Sequence, residues 1–159
     1  MIERYSSDEM SSIWSEDNKV AKWLDVERAV IEILEKEEIT PKGLSKQLKE
    51  VSITHNEVLE REAVTNHDLA AFVDVLQSKI QKDSNWIHYG LTSSDVVDTA
   101  NALLIKECER INAKYLFTGH HFDDQVENIL LRMIRGSGIK GLGSLQEKFK
   151  FNKHKTIIC

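Results

Sequence analysis

The sequence predicts a mainly α fold, with a helical N-terminal domain over residues 1–111 and a small strand, loop, helix unit of α/β origin over residues 112–159. Two observations carry this expectation. Apolar residues recur at three- and four-residue intervals through the first two thirds of the chain, the spacing of helices that bury one face. Glycine and proline then divide the chain. Before residue 112 stand only Gly43, Gly90 and Pro41, and after it come Gly119, Gly136, Gly138, Gly141 and Gly143, a density suited to loops that approach a ligand.

From Val20 to Glu35, apolar residues at Val20, Trp23, Leu24, Val26, Ala29, Val30, Ile33 and Leu34 define one helical face. Pro41 marks the start of the next helix, since proline is tolerated in a first turn. Leu59 and Ala63, then Leu69, Phe72, Val73 and Leu76, continue the spacing with a break at Thr65 to His67. Breaks between helices are where side chains reach ligands. Thr92 to Ile111 is the clearest helix: Thr92 and Asp95 have the spacing of a capping box, and Val97, Ala100, Leu104, Cys108 and Ile111 form a stripe behind them. Thr92, Ser93 and Ser94 read either as simple caps or as an anion cradle at the positive end of that helix. An uncovered Val97, Leu104 and Ile111 would favour self-association.

After residue 112, KYLFT from Lys114 to Thr118 suits a buried strand with few neighbours to pair with, and a helix follows from Asp124. Val126, Ile129, Leu130, Met133 and Ile134 lie on one side of that helix, and Gln125, Glu127, Asn128, Arg132 and Arg135 on the other. His120, His121, Asp123 and Asp124 then fall at the carboxyl end of the strand, where α/β folds bind ligands. Their types suit a divalent ion, but adjacent histidines seldom face one ion and the aspartates also offset a helix dipole, so no metal is expected. Arg132 to Lys155 reads as a solvated, charged and glycine-rich surface.

Bulk properties narrow the function classes. The chain has 159 residues, 41% apolar and 30% charged, which describes an ordinary globular protein. A net charge of -5 argues against a protein that coats nucleic acid. Cys108 and Cys159 are far apart and lack metal-ligand spacing, so neither a disulfide framework nor a zinc site is implied. MIERYSSDEMSSIW is not a secretory signal, and no segment is apolar enough to span a bilayer, so a cytoplasmic location without membrane contact is expected.

MIERYS at the start, NHDLAAF at Asn66 to Phe72 and WIHYGLTSSDVVDT at Trp86 to Thr99 resemble adenylosuccinate lyase of the fumarase and aspartase superfamily, over residues 1 to about 106. The resemblance implies a helical fold, a carbon–nitrogen lyase releasing fumarate from adenylosuccinate to give AMP, and no cofactor. It places Arg4, Tyr5, His67, Asp68, Thr92 and Ser93 on the substrate, with His67 in an auxiliary catalytic role. Asn66 stands where the family has an arginine. The family's main acid lies in a Thr-His motif beyond the N-terminal region and its base on a later serine loop, and neither segment occurs here.

TGHHFDDQVENILLRMIRGSG at Thr118 to Gly138 resembles tRNA(Ile)-lysidine synthetase of the PP-loop ATPase class, over about residues 112 to 151. His120, His121, Asp123, Asp124, Gln125 and Glu127, with Arg135, Gly136, Ser137 and Gly138, carry that likeness. It implies ATP and magnesium as cofactors and tRNA as partner, although the Ser-Gly-Gly-x-Asp-Ser phosphate loop of the class does not occur. Two readings follow: a lyase-like chain that binds adenylosuccinate or AMP and completes a site by joining full-length lyase subunits, or a fusion of two truncated genes that is inactive alone with at most residual binding, the second being expected for activity; self-association is expected as well.

Overall fold

The computed structural model describes residues 7–111, 113, 115–117, 126, 127, 129, 130, 133, 134, 148–152 and 155–158. The chain divides into two compact units, Met1–Cys108 and Glu109–Cys159. Among the described residues the first unit is built from helices α1 (Asp8–Ile13), α2 (Glu16–Lys36), α3 (Leu44–Glu50), α4 (His55–Thr65), α5 (Asp68–Lys79) and α6 (Ser93–Arg110), with a 3-10 turn at Ser84–Trp86. The last turn of α6 runs into the second unit.

Free amides at the helix starts are met by nearby oxygens. Ser7 and Ser15 accept from the backbone N–H of Met10 at 3.3 Å and of Asn18 at 3.2 Å. Asp8, Glu9, Glu16 and Asp17 add negative charge to those first turns. Thr54 and Glu57 cap α4 reciprocally, as a capping box. α3 begins past Pro41, because Gly43, at φ +98°, precedes it and the Glu35 carboxylate accepts from the Gly43 and Ser45 amides. That φ is one glycine adopts without a Cβ penalty. The break between α4 and α5 falls at Asn66, whose φ of +51° is left-handed. Asparagine tolerates that region better than arginine, which gives Asn66 a local reason for its place.

Helices α2, α3, α5 and α6 enclose the core, where Trp23 and Ile31 pack with Leu48, Phe72, Val96 and Ala100. Trp23 and Phe72 meet edge to face, with centroids 5.5 Å apart. Each such buried side chain contributes about 1.5–3 kcal/mol. The buried stripe of α2 differs from the expected one: Ala29 and Ile33 are exposed, and Glu27 and Ile31 lie inside. Helical spacing from Val20 through Trp23 leads to Glu27 and Ile31, and a charged residue on the stripe hides that continuity. On α4, Val58 is buried while Leu59 and Ala63 are exposed. On α6, Val96 is buried in place of Val97, with Ala100, Leu104 and Cys108. Leu104 is thus covered within the chain. Lys22 and Asn18 of α2 reach Glu107 of α6 at 2.6 and 3.2 Å.

In the second unit, β1 (Tyr115–Phe117), β2 (Lys148–Asn152) and β3 (Lys155–Ile158) form a sheet in the order β1-β3-β2. β1 runs parallel to β3, with Leu116 opposite Ile157, and β2 runs antiparallel to it, with Phe149 also opposite Ile157. The register shifts between Lys150 and Asn152. The strand expected in KYLFT is present and pairs with β3, whose other neighbour, β2, comes from the stretch that reads as solvated surface. Lysines at 148 and 150 alternate there with Phe149 and Phe151, the two-residue period of a strand. The described residues between β1 and β2, namely Val126, Glu127, Ile129, Leu130, Met133 and Ile134, have helical backbone. The chain is therefore mainly α with a small α/β part, and no described helix is long and apolar enough to cross a membrane.

Candidate functional site

A cleft of about 300 Å³ in the first unit is lined by His67, Leu69, Ala70, Val73, Asp74, His88 and Ser93. Three local structures supply it. His67 is the N-cap of α5, Ser93 opens α6, and His88 lies in the turn between the 3-10 segment and α6. Leu69, Ala70 and Val73 on α5 add an apolar wall. The cleft therefore brings together His67 and Ser93, two residues that the resemblance assigns to a substrate, and adds His88.

The His67 side chain is half exposed, and its Nδ1 accepts from the Ala70 amide at 3.4 Å. Nδ1 also lies 3.5 Å from Asp68 Oδ1. It cannot accept from the amide and donate to the carboxylate at once, so the two contacts correspond to different protonation states of the ring. Asp68 accepts from the Leu69 amide at 2.7 Å and faces Lys19 Nζ at 3.9 Å. Asp74 is held by Arg61, at 2.7 Å from Nη2 and 2.8 Å from Nε.

His88 has a backbone φ of +65°. Its backbone N–H donates to Glu27 Oε2 at 3.1 Å, and its ring Nδ1 lies 2.7 Å from Glu27 Oε1. Glu27 is fully buried on α2. His88 lies within the WIHYGLTSSDVVDT block, and Glu27 carried no expectation from the sequence. The available signal was a lone carboxylate on the apolar stripe of an amphipathic helix, since such a residue is buried only with a partner.

Thr92 donates to Asp95 Oδ2 through both its amide, at 2.7 Å, and its hydroxyl, at 2.9 Å. The Thr92 amide first, then its hydroxyl, and more weakly the charge of His88, hold the Asp95 carboxyl below its usual range. The first turn of α6 thus carries an internal anion beside Ser93. Arg4, Tyr5, His120, His121, Asp123, Asp124, Gln125, Arg135, Gly136, Ser137 and Gly138 lie outside the described residues. Glu127 is exposed on helical backbone. Among the described residues no group of three His, Cys, Asp or Glu side chains could hold a metal ion. Two imidazoles and a hydroxyl beside an apolar wall offer hydrogen bonds suited to an anionic group.

These helices have the fold of the fumarate lyases: a fumarate lyase from Mesorhizobium sp. BNC1 superposes with a TM-score of 0.61 at 15% identity, over 82% of this chain and 29% of that one. Adenylosuccinate lyase of Thermotoga maritima is 43% identical over 112 residues, 70% of this chain and 26% of the relative. That of Aquifex aeolicus is 47% identical over 111 residues, 67% of this chain and 25% of the relative. The chain spans about a quarter of the length of these relatives. The chain belongs to the PP-loop domain family, whose model matches residues 43–158. A lyase likeness over 70% of the chain and a PP-loop match over residues 43–158 are consistent with a fusion of the two. α3 to α6 lie inside the PP-loop match as helices, while β1 to β3 supply the strands of its C-terminal part.

Proposed function

We propose that the chain is adenylosuccinate lyase-like in purine nucleotide biosynthesis, and that this polypeptide binds adenylosuccinate or AMP without releasing fumarate by itself. The cleft that joins His67, His88 and Ser93 carries the reading. Its apolar wall suits a nucleotide base, and its imidazoles and hydroxyl suit an anionic group. Thr92 and Asp68 flank it, and Arg4 and Tyr5 are assigned to the same substrate by resemblance. Elimination of fumarate is a proton abstraction beside a carboxylate, and it needs an acid and a base acting as a unit. His67 supplies only an auxiliary imidazole. The proposed setting is the cytoplasm, with no cofactor, and with further copies or full-length lyase subunits as partners.

Calorimetric titration with AMP and adenylosuccinate, beside an absorbance assay for fumarate, tests this. Saturable binding that weakens about tenfold in His67→Ala, with no fumarate formed, is the expected result. Turnover by the purified chain would overturn the binding-only part, and failure of both ligands to bind at millimolar concentration would overturn the whole.

The PP-loop family match favours a second reading, in which the C-terminal unit acts as a tRNA(Ile)-lysidine synthetase-like piece with ATP, magnesium and tRNA. Of that motif the structure describes Glu127, exposed on helical backbone, and the sequence has no Ser-Gly-Gly-x-Asp-Ser loop whose amides would cradle phosphates. Lysine transfer to tRNA, dependent on ATP, would establish this reading over the first.

A further inference from the structure

We propose that Glu27 is a positioning residue for the cleft: it fixes the His88 ring as the Nδ1–H tautomer and leaves Nε2 as the atom that meets a ligand. This rests on the nucleotide-binding function proposed above. Glu27 is a carboxylate with no exposure to solvent, in the middle of an apolar helical stripe. Both of its oxygens are used by one residue, Oε2 by the His88 amide at 3.1 Å and Oε1 by the His88 ring at 2.7 Å.

Oε2 accepts from the His88 amide, and a Glu27 carboxylate in its ionised form can only accept at Oε1 as well. Nδ1 must then donate, and the second ring nitrogen is left without its proton in the neutral ring. A carboxylate behind an imidazole sets its tautomer and orientation in the same way in hydrolase triads and metal centres.

The backbone agrees with this role. His88 sits at φ +65°, a conformation uncommon for a residue with a side chain, and such positions persist where surrounding contacts over-determine them. Glu27 supplies that hold, gripping the amide and the ring together across 61 residues of sequence. His88 is also a lining residue of the cleft, with 21% of its side chain exposed, so a buried carboxylate on α2 controls a group at the ligand surface.

The test is nitrogen-detected NMR of the His88 ring in the full chain without ligand, assigned with His88→Gln. Protonated Nδ1 with an unprotonated Nε2 in the neutral ring is expected, and the Nε2–H tautomer would overturn the proposal. Glu27→Gln keeps the shape and can donate to Nδ1, so it should shift His88 toward the Nε2–H tautomer and weaken AMP binding about tenfold or more. An unchanged tautomer and unchanged affinity in a folded Glu27→Gln variant would also overturn it. Because the tautomer is read without nucleotide, failure of AMP to bind the wild-type chain counts against the function proposed above and not against Glu27.

Discussion

Glu57 joins the start of α4 to the end of α5, and its removal should show in both stability and pH dependence. Its carboxylate accepts from the Thr54 amide at 2.8 Å and the Thr54 hydroxyl at 3.0 Å, and it pairs with Lys79 Nζ at 2.5 Å. Lys79 also donates to the Ser52 carbonyl at 2.8 Å, so the cation is held from two sides. The hydrogen bond from Lys79, then that from the Thr54 amide, lowers the Glu57 carboxyl from 4.5 to about 2. In an unscreened site that depression corresponds to roughly 3 kcal/mol. The side chain is 39% exposed, however, and solvent reduces an ion pair of this kind to at most about 1 kcal/mol. Glutamine can still accept from the Thr54 amide, so Glu57→Gln loses mainly the ion pair and should cost about 1 kcal/mol at pH 7.

The direction with pH follows from the sign of the shift. A carboxyl lowered in the folded state stabilises fully above its unfolded value of 4.5, and the contribution drains away as pH falls toward 2. Urea denaturation of wild type and Glu57→Gln at pH 7 and pH 2 should therefore show a gap at the higher pH that has largely closed at the lower. A gap of equal size at both pH values, or none at pH 7, would refute the reasoning.

Two other substitutions probe the core and its fastening. Phe72→Ala removes the edge-to-face partner of Trp23 and a fully buried ring, and should destabilise by about 3–5 kcal/mol in urea denaturation. Arg28 of α2 donates to the Leu48 carbonyl at 3.1 Å and the Val51 carbonyl at 2.8 Å, and so fastens the end of α3. Arg28→Ala should cost about 1–3 kcal/mol and speed hydrogen exchange in α3 more than in α5.

Much of the helical unit was legible because its signals are local. Helical spacing, the break at Asn66 and the Thr92–Asp95 pair depend on residues within a few positions of one another, and the structure has each of them. The Thr92 pair nonetheless turned out to be turned inward: the hydroxyl donates to Asp95, and the helix start carries that carboxylate. What escaped was decided by partners far away in sequence. Glu27 is tolerable inside only because His88 is there to meet it, and Glu107 of α6 meets Asn18 and Lys22 from far along the chain. The start of α3 is set by Glu35, several residues upstream, more than by Pro41. In the second unit, the alternation of Lys148 to Asn152 was masked by its lysines, whose long stems and charged heads read as surface even on a strand.

The strand order of the small sheet has a consequence for how the second unit is made. β3 lies between β1 and β2, although it follows both in sequence. During synthesis β1 leaves the ribosome with no strand to pair with, and β2 emerges without a direct partner in β1. Both must wait for β3, and β1 must also close a long intervening stretch to reach it, the slow kind of pairing. The helical unit, made first and joined largely by neighbours in sequence, can be complete while the strands are still open. A chain cut before Lys155 would lose not one strand but every pairing in the sheet.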